Sequence, residues 1–379
     1  MPVKTLVVYQ HLPHYRLGVF KALEQDDRLA CAFAAGASSH DGSIPTIDFD
    51  RLARVHALEN HWFRRFLWQS GLLKALRRDR PEVVVFLGDF AFVSTWVAAA
   101  LMRLCGVGVL FWTIGWHKPE SGLRRRARLA FYRLSHGLLL YGETGQAIGT
   151  QMGFPRPRTA VVYNSSSSSL HDVTSSEAEH ARFVSMLPPP GTEVITAVLR
   201  LNPVKRLDLL VHVAARLAER GRPVSVLIVG DGPEREHLSA LARRLGVALH
   251  LPGAAYSAQT LQATYDRTSV TVIPAAAGLS VLQSLDHGRP VVTHDDAYGQ
   301  MPEFEAIRPG VNGSLYRRDD VDAMADEITV WLDRSASKRS ETGRACRESL
   351  ARDWCPEAQA AKIGAEVVRL ATSLGRTAA

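Results

Sequence analysis

Cysteine is scarce in this sequence, and no apolar run is long enough to cross a membrane. The four cysteines lie far from one another, at Cys31, Cys105, Cys346 and Cys355. Because no two of them form a Cys-x-x-Cys pair, we expect reduced thiols rather than a zinc site or a disulfide framework. The most apolar stretch, residues 90–112, is interrupted by Arg103 and Gly106, whereas a membrane-spanning helix needs about 20 consecutive apolar residues. That stretch therefore predicts a helix, a turn and a buried strand.

Motifs that define several other protein classes are also missing. Gln10-His11-Leu12 follows the first predicted strand, where a dinucleotide-dependent oxidoreductase would have a Gly-x-Gly-x-x-Gly turn. No RNP string or other nucleic-acid motif is present, so we expect no nucleic-acid partner. Met1 is followed almost at once by the apolar residues 5–9, which is typical of a first strand and not of a signal peptide. These absences favour a cytoplasmic protein.

Charge of one sign is unevenly distributed along the chain. The 379 residues carry 45 Lys and Arg against 38 Asp and Glu, a net charge of +7. The whole excess lies in residues 1–185, with 22 basic and 15 acidic residues. It is densest in residues 61–80, where cations alternate with Trp and Phe, and in residues 118–128. This pattern suits an anionic membrane surface on its cytoplasmic side. An ordinary amphipathic helix with a solvated basic face is the alternative, and single-stranded nucleic acid would use similar residues.

Short apolar runs alternate with longer amphipathic stretches in two series. The first series predicts strands at residues 5–9, 83–87, 109–112, 137–141 and 160–163. The second predicts strands at residues 193–199, 224–229, 249–251, 270–273 and 291–293. Runs rich in Val and Ile without polar alternation suit strands buried on both faces, and strands that alternate with helices form parallel sheets. The sequence therefore predicts an α/β protein with two doubly wound domains.

The boundary between the domains is predicted near residues 165–192. A serine run at residues 165–169 offers no side chain to a core, and Thr174 and Glu177 match a capping box that opens a short helix. The predicted parts are an N-terminal domain (1–170), a linker (171–192), a C-terminal domain (193–356) and a C-terminal helix (357–379) that could join the N-terminal domain.

Three strand-to-helix loops of the C-terminal half carry residues suited to a phosphate ligand. Arg200 and Lys205 flank the first loop, where ligands bind in open α/β sheets. The second loop contains Gly230, in a turn that lets the backbone approach a ligand closely. In the third, residues 274–278 are small, and a helix starting near Leu279 would offer free N–H groups to an anion. Taken singly, each loop also has an ordinary structural explanation in surface cations, a sharp turn or tight packing.

The order and spacing of these motifs resemble the family-4 retaining glycosyltransferases of the GT-B fold. The likeness rests on residues 200–205, the strings VGDGPERE (229–236) and IPAAAGLSVLQSLDHGRPVV (273–292), and the turns at 252–253 and 309–313. It implies two Rossmann-like doubly wound domains that face each other across a nucleotide-sugar cleft. It further implies a nucleotide-diphosphate-sugar donor, a carbohydrate or lipid-linked hydroxyl acceptor of bacterial polysaccharide or glycolipid assembly, and no obligatory cofactor or metal.

The resemblance also assigns roles to residues of the donor side. Arg200 and Lys205 match the cations that hold the donor diphosphate and stabilise it as the leaving group. The segment Gly278, Leu279 and Ser280 matches the one whose backbone amides meet the same phosphates. Gly230 is expected to lie at the donor as well.

The sequence departs from the family at two glutamates, which are replaced by Ala275 and Gln283. Gln283 can still hydrogen-bond a nucleotide ribose, although without charge. Glu303 or Glu305, in the loop after the next strand, could supply the missing carboxylate. The departure supports one alternative, a catalytically inactive GT-B protein that only binds nucleotide sugar.

The acceptor side is expected in the N-terminal half. His117 resembles a family histidine that lies near the reacting sugar and could polarise the donor sugar or the acceptor hydroxyl. The loop after the first strand lines the acceptor side in the family. Here it carries four residues that could orient a hydroxyl or an anionic acceptor, or could merely cap and pack helix 1: His11, His14, Tyr15 and Arg16.

Overall fold

The protein divides into two compact units. The structure is a computed structural model and describes residues 1–39, 44–165 and 174–376. The first unit combines Met1–Ser169 with Cys355–Ala379, and the second is Leu170–Trp354. Parts of three predicted segments lie outside the described residues, namely 166–169 of the serine run, 171–173 of the linker and 377–379 of the C-terminal helix.

The helices and strands alternate along most of the chain. The strands in chain order are β1 (Val3–His11), β2 (Leu29–Gly36), β3 (Val55–Phe63), β4 (Phe66–Ser70), β5 (Val83–Leu87), β6 (Gly108–Thr113), β7 (Gly137–Leu140), β8 (Thr159–Val161), β9 (Val194–Val198), β10 (Ser225–Val229), β11 (Leu249–Gly253), β12 (Val270–Ile273), β13 (Val291–His294) and β14 (Gly313–Tyr316). The α-helices are α1 (Leu17–Glu24), α2 (Leu72–Asp79), α3 (Val93–Leu104), α4 (Gly122–Arg133), α5 (Glu143–Gln151), α6 (Glu177–Ser185), α7 (Asp208–Glu219), α8 (Arg235–Leu245), α9 (Ala258–Arg267), α10 (Leu279–Asp286), α11 (Val321–Leu332), α12 (Ala336–Asp353) and α13 (Pro356–Ser373).

The described strands of each unit form one sheet. In the first unit the order is β4-β3-β2-β1-β5-β6-β7-β8, and the pairs are parallel except for the antiparallel β3–β4 hairpin. In the second unit the order is β11-β10-β9-β12-β13-β14, with parallel pairs throughout. In both sheets the strand order reverses beside the first strand, so the prediction of two doubly wound α/β domains is confirmed.

Both faces of the first sheet are covered. Val3 and Val7 of β1 belong to a buried cluster with α1 and α13, whereas Leu6 and Val8 belong to a cluster with α2, α3 and α4. Successive residues of a strand point to opposite faces. A strand covered on both faces is therefore apolar at consecutive positions, which is the pattern from which β1 was predicted.

The C-terminal helix α13 is part of the first unit. It packs against α1, β1, β5 and β6, and it buries Ile363, Val367 and Leu370 in the same cluster as Val3 and Val7 of β1. At Gly364 the approach is close, because a Cβ atom there would lie 2.3 Å from Oδ2 of Asp26.

The alternative of an amphipathic helix holds for residues 72–79 and 122–133, which lie in α2 and α4, but not for residues 61–68. These residues form the β3–β4 hairpin, in which Trp62 pairs with Leu67 and Phe63 with Phe66. Burial alternates along β3 and β4 with the period of a strand. The basic and aromatic residues of this segment therefore project from an edge ribbon and not from one helical face.

Some elements were missed or displaced in the sequence prediction. Strands β2, β3, β4 and β14 were not predicted, and β2 is rich in alanine, which has a low preference for strands. The capping box also lies two residues later than predicted. Ser176 accepts from the N–H of Glu179 while the Glu179 carboxylate accepts from the N–H of Ser176, so Thr174 and Glu177 are not its members.

Candidate functional site

Lys205 links two of the loops predicted to hold the donor phosphates. It ends the 3-10 helix Pro203–Lys205 after β9, and its Nζ donates to the carbonyl of Ala276, in the loop before α10, at 2.6 Å. Burial lowers the pKa of Lys205, and the nearby Glu303 carboxylate opposes that effect. Arg200 lies in the same β9–α7 loop and is exposed. The ammonium group is therefore held against the loop of small residues.

The loop between β12 and α10 is held in an unusual backbone shape. Ala276 has a φ of 49°, in the left-handed region that non-glycine residues seldom adopt. Gln300 is 4% exposed and accepts from the N–H of Ala277 at 2.8 Å, while its amide nitrogen donates to the carbonyl of His294 at 2.8 Å. The N–H of Ala276 donates to the carbonyl of Gly299. Gln300 thus fixes this loop to the segment that follows β13.

The N-terminus of α10 is directed by the same loop. Gly278 is the N-cap residue, and no side chain among the described residues caps the helix. The N–H of Val281 donates to the carbonyl of Gly278 at 2.8 Å. The N–H groups of the first turn of a helix have no partner inside the helix. Those of Leu279 and Ser280 therefore suit an anionic ligand. Their contact with the donor phosphates stays a prediction.

Glu303 lies beside this helix N-terminus. It belongs to the 3-10 helix Pro302–Ala306, is 3% exposed, and packs with α10. Its Oε2 would lie 3.8 Å from a Cβ atom placed on Gly278. Of the two glutamates considered as replacements for the family carboxylate, Glu303 is the buried one and Glu305 is only partly buried.

Gln283 is engaged within the second unit. The hydroxyl of Tyr265 donates to its side-chain oxygen at 3.3 Å, and the Tyr265 ring stacks on His287 with centroids 4.4 Å apart. Gly288, with a φ of 70°, follows the helix as its C′ residue, as predicted. The polar side chain at position 283 therefore has a defined place one turn into α10.

Gly230 has a packing role that the sequence did not indicate. A Cβ atom at this position would lie 1.9 Å from the carbonyl oxygen of Leu199. One at Gly232 would lie 2.3 Å from the carbonyl oxygen of Leu201, and the N–H of Leu201 donates to the carbonyl of Asp231 at 2.9 Å. The glycines thus let the β10–α8 turn lie directly against the loop that carries Arg200. Contact of Gly230 with the donor stays a prediction.

The first unit contains a cavity of about 660 Å³ at the carboxyl ends of β5, β6 and β7. Ligands bind at this edge in open α/β sheets. His117 lines the cavity, together with residues at or just after the ends of these strands, among them Gly88, Thr113 and Tyr141. Partial burial and the Arg128 guanidinium lower the pKa of His117. The imidazole is therefore neutral near pH 7, a state in which one nitrogen accepts and the other donates.

The other four predicted acceptor-side residues do not line this cavity in the described part of the first unit. His11 and Arg16 are 2% and 4% exposed. The Arg16 guanidinium lies over the rings of Trp112 and Tyr141, with centroid distances of 4.8 and 4.9 Å. Because Tyr141 also lines the cavity, Arg16 lies one layer behind its wall. His14 and Tyr15 are partly buried in the 3-10 helix before α1.

Five cavity-lining residues were assigned only to basic surface segments by the sequence. They are Trp62, Arg64, Arg65, Arg124 and Arg128. Alternating Trp and Arg in residues 61–68 was the available signal. The position of these residues in the fold depends on the pairing of β3 with β4. The N–H of Leu67 donates to the carbonyl of Ala91, and this bond holds the hairpin against the loop after β5.

The described residues contain neither a metal-binding cluster nor a membrane-spanning helix. No three His, Cys, Asp or Glu side chains come together there in a group that could hold a metal ion. None of the helices described combines the length and apolar character that crossing a membrane requires. A metal-independent reaction stays a prediction.

Solved structures with the same architecture define the class of fold. HepE of Anabaena in complex with UDP aligns over 98% of this chain and 100% of its own, with a TM-score of 0.71 and 17% identity. A glycosyltransferase of Rickettsia africae aligns over 97% and 98%, with a TM-score of 0.74 and 12% identity. The fold is that of the GT-B proteins, with two Rossmann-like domains.

Sequence comparisons indicate which activity accompanies this fold in similar proteins. Residues 181–349 match the family model described as glycosyl transferases group 1. A poly(ribitol-phosphate) alpha-N-acetylglucosaminyltransferase of Staphylococcus aureus is 25% identical over 167 residues, which are 44% of this chain and 33% of that protein. A D-inositol 3-phosphate glycosyltransferase of Mycolicibacterium smegmatis is 26% identical over 338 residues, 85% of this chain and 69% of that protein. The chain thus spans only a third of the first relative. Together these matches support a GT-B glycosyltransferase.

Proposed function

We propose that the protein is a retaining, hexosyltransferase-type enzyme of the family-4 class. It moves a sugar from a nucleotide-diphosphate-sugar donor to a hydroxyl acceptor in bacterial polysaccharide or glycolipid assembly. The observation that carries the proposal is a group of residues in the second unit. It consists of Lys205, the buried Glu303 and the N-terminus of α10, which no described side chain caps. A cation and free amides directed to one place are what a diphosphate needs.

The proposed reaction breaks the bond between the anomeric carbon of the donor sugar and its phosphate oxygen. A bond from the acceptor oxygen to the same carbon forms on the same face. The nucleoside diphosphate leaves with the electron pair of the broken bond, and one of its phosphate oxygens takes the proton of the acceptor hydroxyl. Lys205, Arg200 and the amides of residues 278–280 stabilise the charge that grows on this leaving group.

Two further donor contacts follow from the same group of residues. Glu303 accepts from hydroxyl groups of the donor sugar in place of the glutamate that is absent at Ala275. Gln283 hydrogen-bonds the nucleotide ribose. In the first unit, neutral His117 polarises the acceptor hydroxyl from the wall of the cavity.

Lys205→Ala tests the proposed function, with UDP-glucose as the first donor because HepE was solved with it. UDP-glucose should raise the thermal stability of the unmodified protein. Lys205→Ala should lower sugar transfer by roughly 100-fold or more, because the cation acts on the developing phosphate charge. Lys338→Ala removes an exposed lysine of the same unit and should leave transfer unchanged.

The inactive alternative makes a different prediction in the same assay. A protein that only binds nucleotide sugar would be stabilised by UDP-glucose and related donors without transferring or hydrolysing any of them. No stabilisation by any nucleotide would contradict both readings.

We also propose that the first unit rests peripherally on the inner face of an anionic membrane. Four apolar side chains of α3 repeat at helical spacing and are exposed, Val93 by 41%, Val97 by 39%, Leu101 by 40% and Leu104 by 85%. The β3–β4 hairpin, which contacts α3, exposes Phe63 by 73%. Apolar groups beside a basic surface are typical of proteins that lie in the membrane interface.

Vesicle co-sedimentation tests the membrane proposal. Vesicles with anionic lipid should bind the protein, and Leu101→Asp with Leu104→Asp should weaken that binding by about tenfold or more, since two apolar side chains no longer enter the interface. Val330→Asp alters an exposed residue of α11 and serves as the control. Equal binding to neutral and anionic vesicles would argue against a role for the basic surface.

A further inference from the structure

The cavity of the first unit is lined by cations from two separate elements. Arg64 and Arg65 come from the turn of the β3–β4 hairpin, and Arg124 and Arg128 come from α4. Among the described residues, Asp89 is the carboxylate that lines the same cavity. One of its oxygens accepts from the N–H of Ala91 at 2.9 Å. The lining is therefore strongly positive, although nothing in the proposed transfer step requires four guanidinium groups there.

A nearby carboxylate offsets only part of this charge. Glu120 accepts from Nε and Nη2 of Arg128, both at 2.8 Å, and it also forms an ion pair with Nε of Arg124 at 2.8 Å. The Arg128 guanidinium additionally lies over the ring of Phe90, 4.8 Å from its centroid. One carboxylate thus serves two arginines and fixes Arg128 in position. A net positive charge remains on the α4 side of the cavity.

The hairpin places its two arginines at some cost in backbone energy. Phe63 pairs with Phe66, so Arg64 and Arg65 form a two-residue turn. Arg64 has a φ of 53°, a conformation in which glycine or asparagine is favoured and other residues lose about 1–2 kcal/mol. An arginine thus lines the cavity at a position where glycine or asparagine would adopt the backbone conformation at lower cost.

Aromatic rings supply the rest of the lining. Trp62 and Phe92 meet edge to face with centroids 6.0 Å apart, and both line the cavity with Phe90. Ring faces and a few polar groups are typical of small-molecule sites, and the volume falls in their usual range. The cavity therefore combines apolar surface for a saccharide ring with arginine forks for an anion.

We propose that this cavity binds an acceptor saccharide that carries an anionic group, a phosphate or a carboxylate, held by Arg64, Arg65 and Arg124. The inference rests on the proposed function, because it takes the cavity of the first unit as the acceptor site. Arginine is the residue best suited to this recognition, since its planar guanidinium donates two parallel hydrogen bonds to either anion. His117 lines the same cavity and faces the acceptor hydroxyl that reacts.

Isothermal titration of the full chain tests the proposal with three soluble probes: glucose 6-phosphate, glucuronate and glucose. At least one anionic probe should bind about tenfold or more tightly than glucose, and its affinity should fall with rising salt. Tighter binding of the phosphate or of the carboxylate identifies which anion the acceptor carries. Equal affinity for all three probes, or no saturable binding of either anion at millimolar concentration, would overturn the proposal.

Paired variants locate the binding. The double variant Arg64→Ala with Arg65→Ala should lower the affinity for the anionic probe by about tenfold. The control Arg77→Ala with Arg78→Ala removes the same charge from exposed positions of α2 and should leave that affinity unchanged. Arg124→Ala should also lower the affinity for the anionic probe. Arg126→Ala, on the same helix but outside the cavity lining, should not. Equal losses in both members of a pair would show a general charge effect and refute the site.

Failure of this inference can be told apart from failure of the proposed function. Lys205→Ala should leave binding of the anionic probe unchanged, and a loss there would move the site to the second unit and overturn the inference. If the unmodified protein binds the anionic probe but neither binds UDP-glucose nor transfers its sugar, the proposed function is contradicted instead. The soluble probes carry no acyl chain, so their binding is also independent of the membrane proposal.

Discussion

Lys205 and Glu303 lie on different loops of the second unit, and the carboxylate affects the pKa of the lysine. Lys205 donates to a backbone carbonyl in a loop of small residues, and burial lowers its pKa. Glu303 is buried close by, and its negative charge favours the charged form of the lysine. The residue that could replace a missing family glutamate therefore also favours the charged form of the lysine that we propose as a phosphate ligand.

Glu303→Gln should shift the pH dependence of donor binding. Without the carboxylate the pKa of Lys205 falls further, so the lysine loses its proton at lower pH and the alkaline limb of UDP-glucose affinity moves down the pH scale. Glu305→Gln is the matched control and should leave the limb in place. Titrations of UDP-glucose across a series of buffers would measure the pH at which affinity falls. If that pH were unchanged or higher in Glu303→Gln, the coupling between the two residues would be contradicted.

Gly230 and Gly246 allow steric contact to be separated from backbone conformation. Both have positive φ, but a Cβ atom on Gly230 would meet the Leu199 carbonyl at 1.9 Å, whereas one on Gly246 would have open space. Gly230→Ala should lower the free energy of unfolding by about 2–5 kcal/mol, and Gly246→Ala by only about 1–2 kcal/mol. Urea denaturation would measure both, and similar losses would mean that the close contact has little weight.

At the scale of whole elements, the sequence was most informative where burial is two-sided. Continuous Val and Ile runs identified strands such as β5 and β12, and their alternation with helices gave the parallel sheets. The edge ribbon β3–β4 was not predicted because it is half exposed. Strand β2 was not predicted because it is rich in alanine, which is as common in helices as in strands.

Some residues of the candidate site could likewise be predicted from the sequence, and others could not. Lys205 and the start of α10 were predictable, because each belongs to a strand-to-helix loop that is local in sequence. The cavity arginines were not, because Arg64 and Arg124 come together only through strand pairing and packing between distant segments. For the same reason the burial of His11 and Arg16 could not be foreseen from the loop that contains them.

Helix α13 should be required for the stability of the first unit. Val367 is fully buried beneath α1, so Val367→Ala should lower the free energy of unfolding by about 2 kcal/mol. Val330→Ala, at a position 54% exposed on α11, makes the same chemical change and should cost far less. Urea midpoints of the full chain would compare them, and equal effects would show that α13 contributes little packing.

At the scale of the whole molecule, charge and ligand chemistry are divided between the two units. Residues 1–185 carry the entire basic excess, while the rest of the chain has 23 residues of each sign. Counted by unit, the first has 24 basic and 14 acidic residues and the second has 21 and 24. A diphosphate is thus expected to be held by a few groups in a unit that carries a small net negative charge. The arginines gathered around the cavity suit the anionic acceptor that we infer for the first unit.

Donor binding should therefore protect one unit selectively. A nucleotide sugar at 100 times its dissociation constant stabilises the unit that binds it by about 2.7 kcal/mol. Hydrogen exchange measured by mass spectrometry should show slower exchange in β9–β14 and little change in β1–β8. Equal protection of both sheets by donor alone would contradict assignment of the donor to the second unit.

The position of α13 also has a consequence during protein synthesis. The second unit is continuous from Leu170 to Trp354, whereas the first needs residues from both sides of it. At ribosomal speeds of 5–20 residues per second, roughly 10–40 s separate the end of the described N-terminal segment from the emergence of α13. Throughout this interval the apolar surface of α1 that α13 will cover remains in water. The unit made first is thus the last to be completed, and its nascent form is the state most in need of a chaperone.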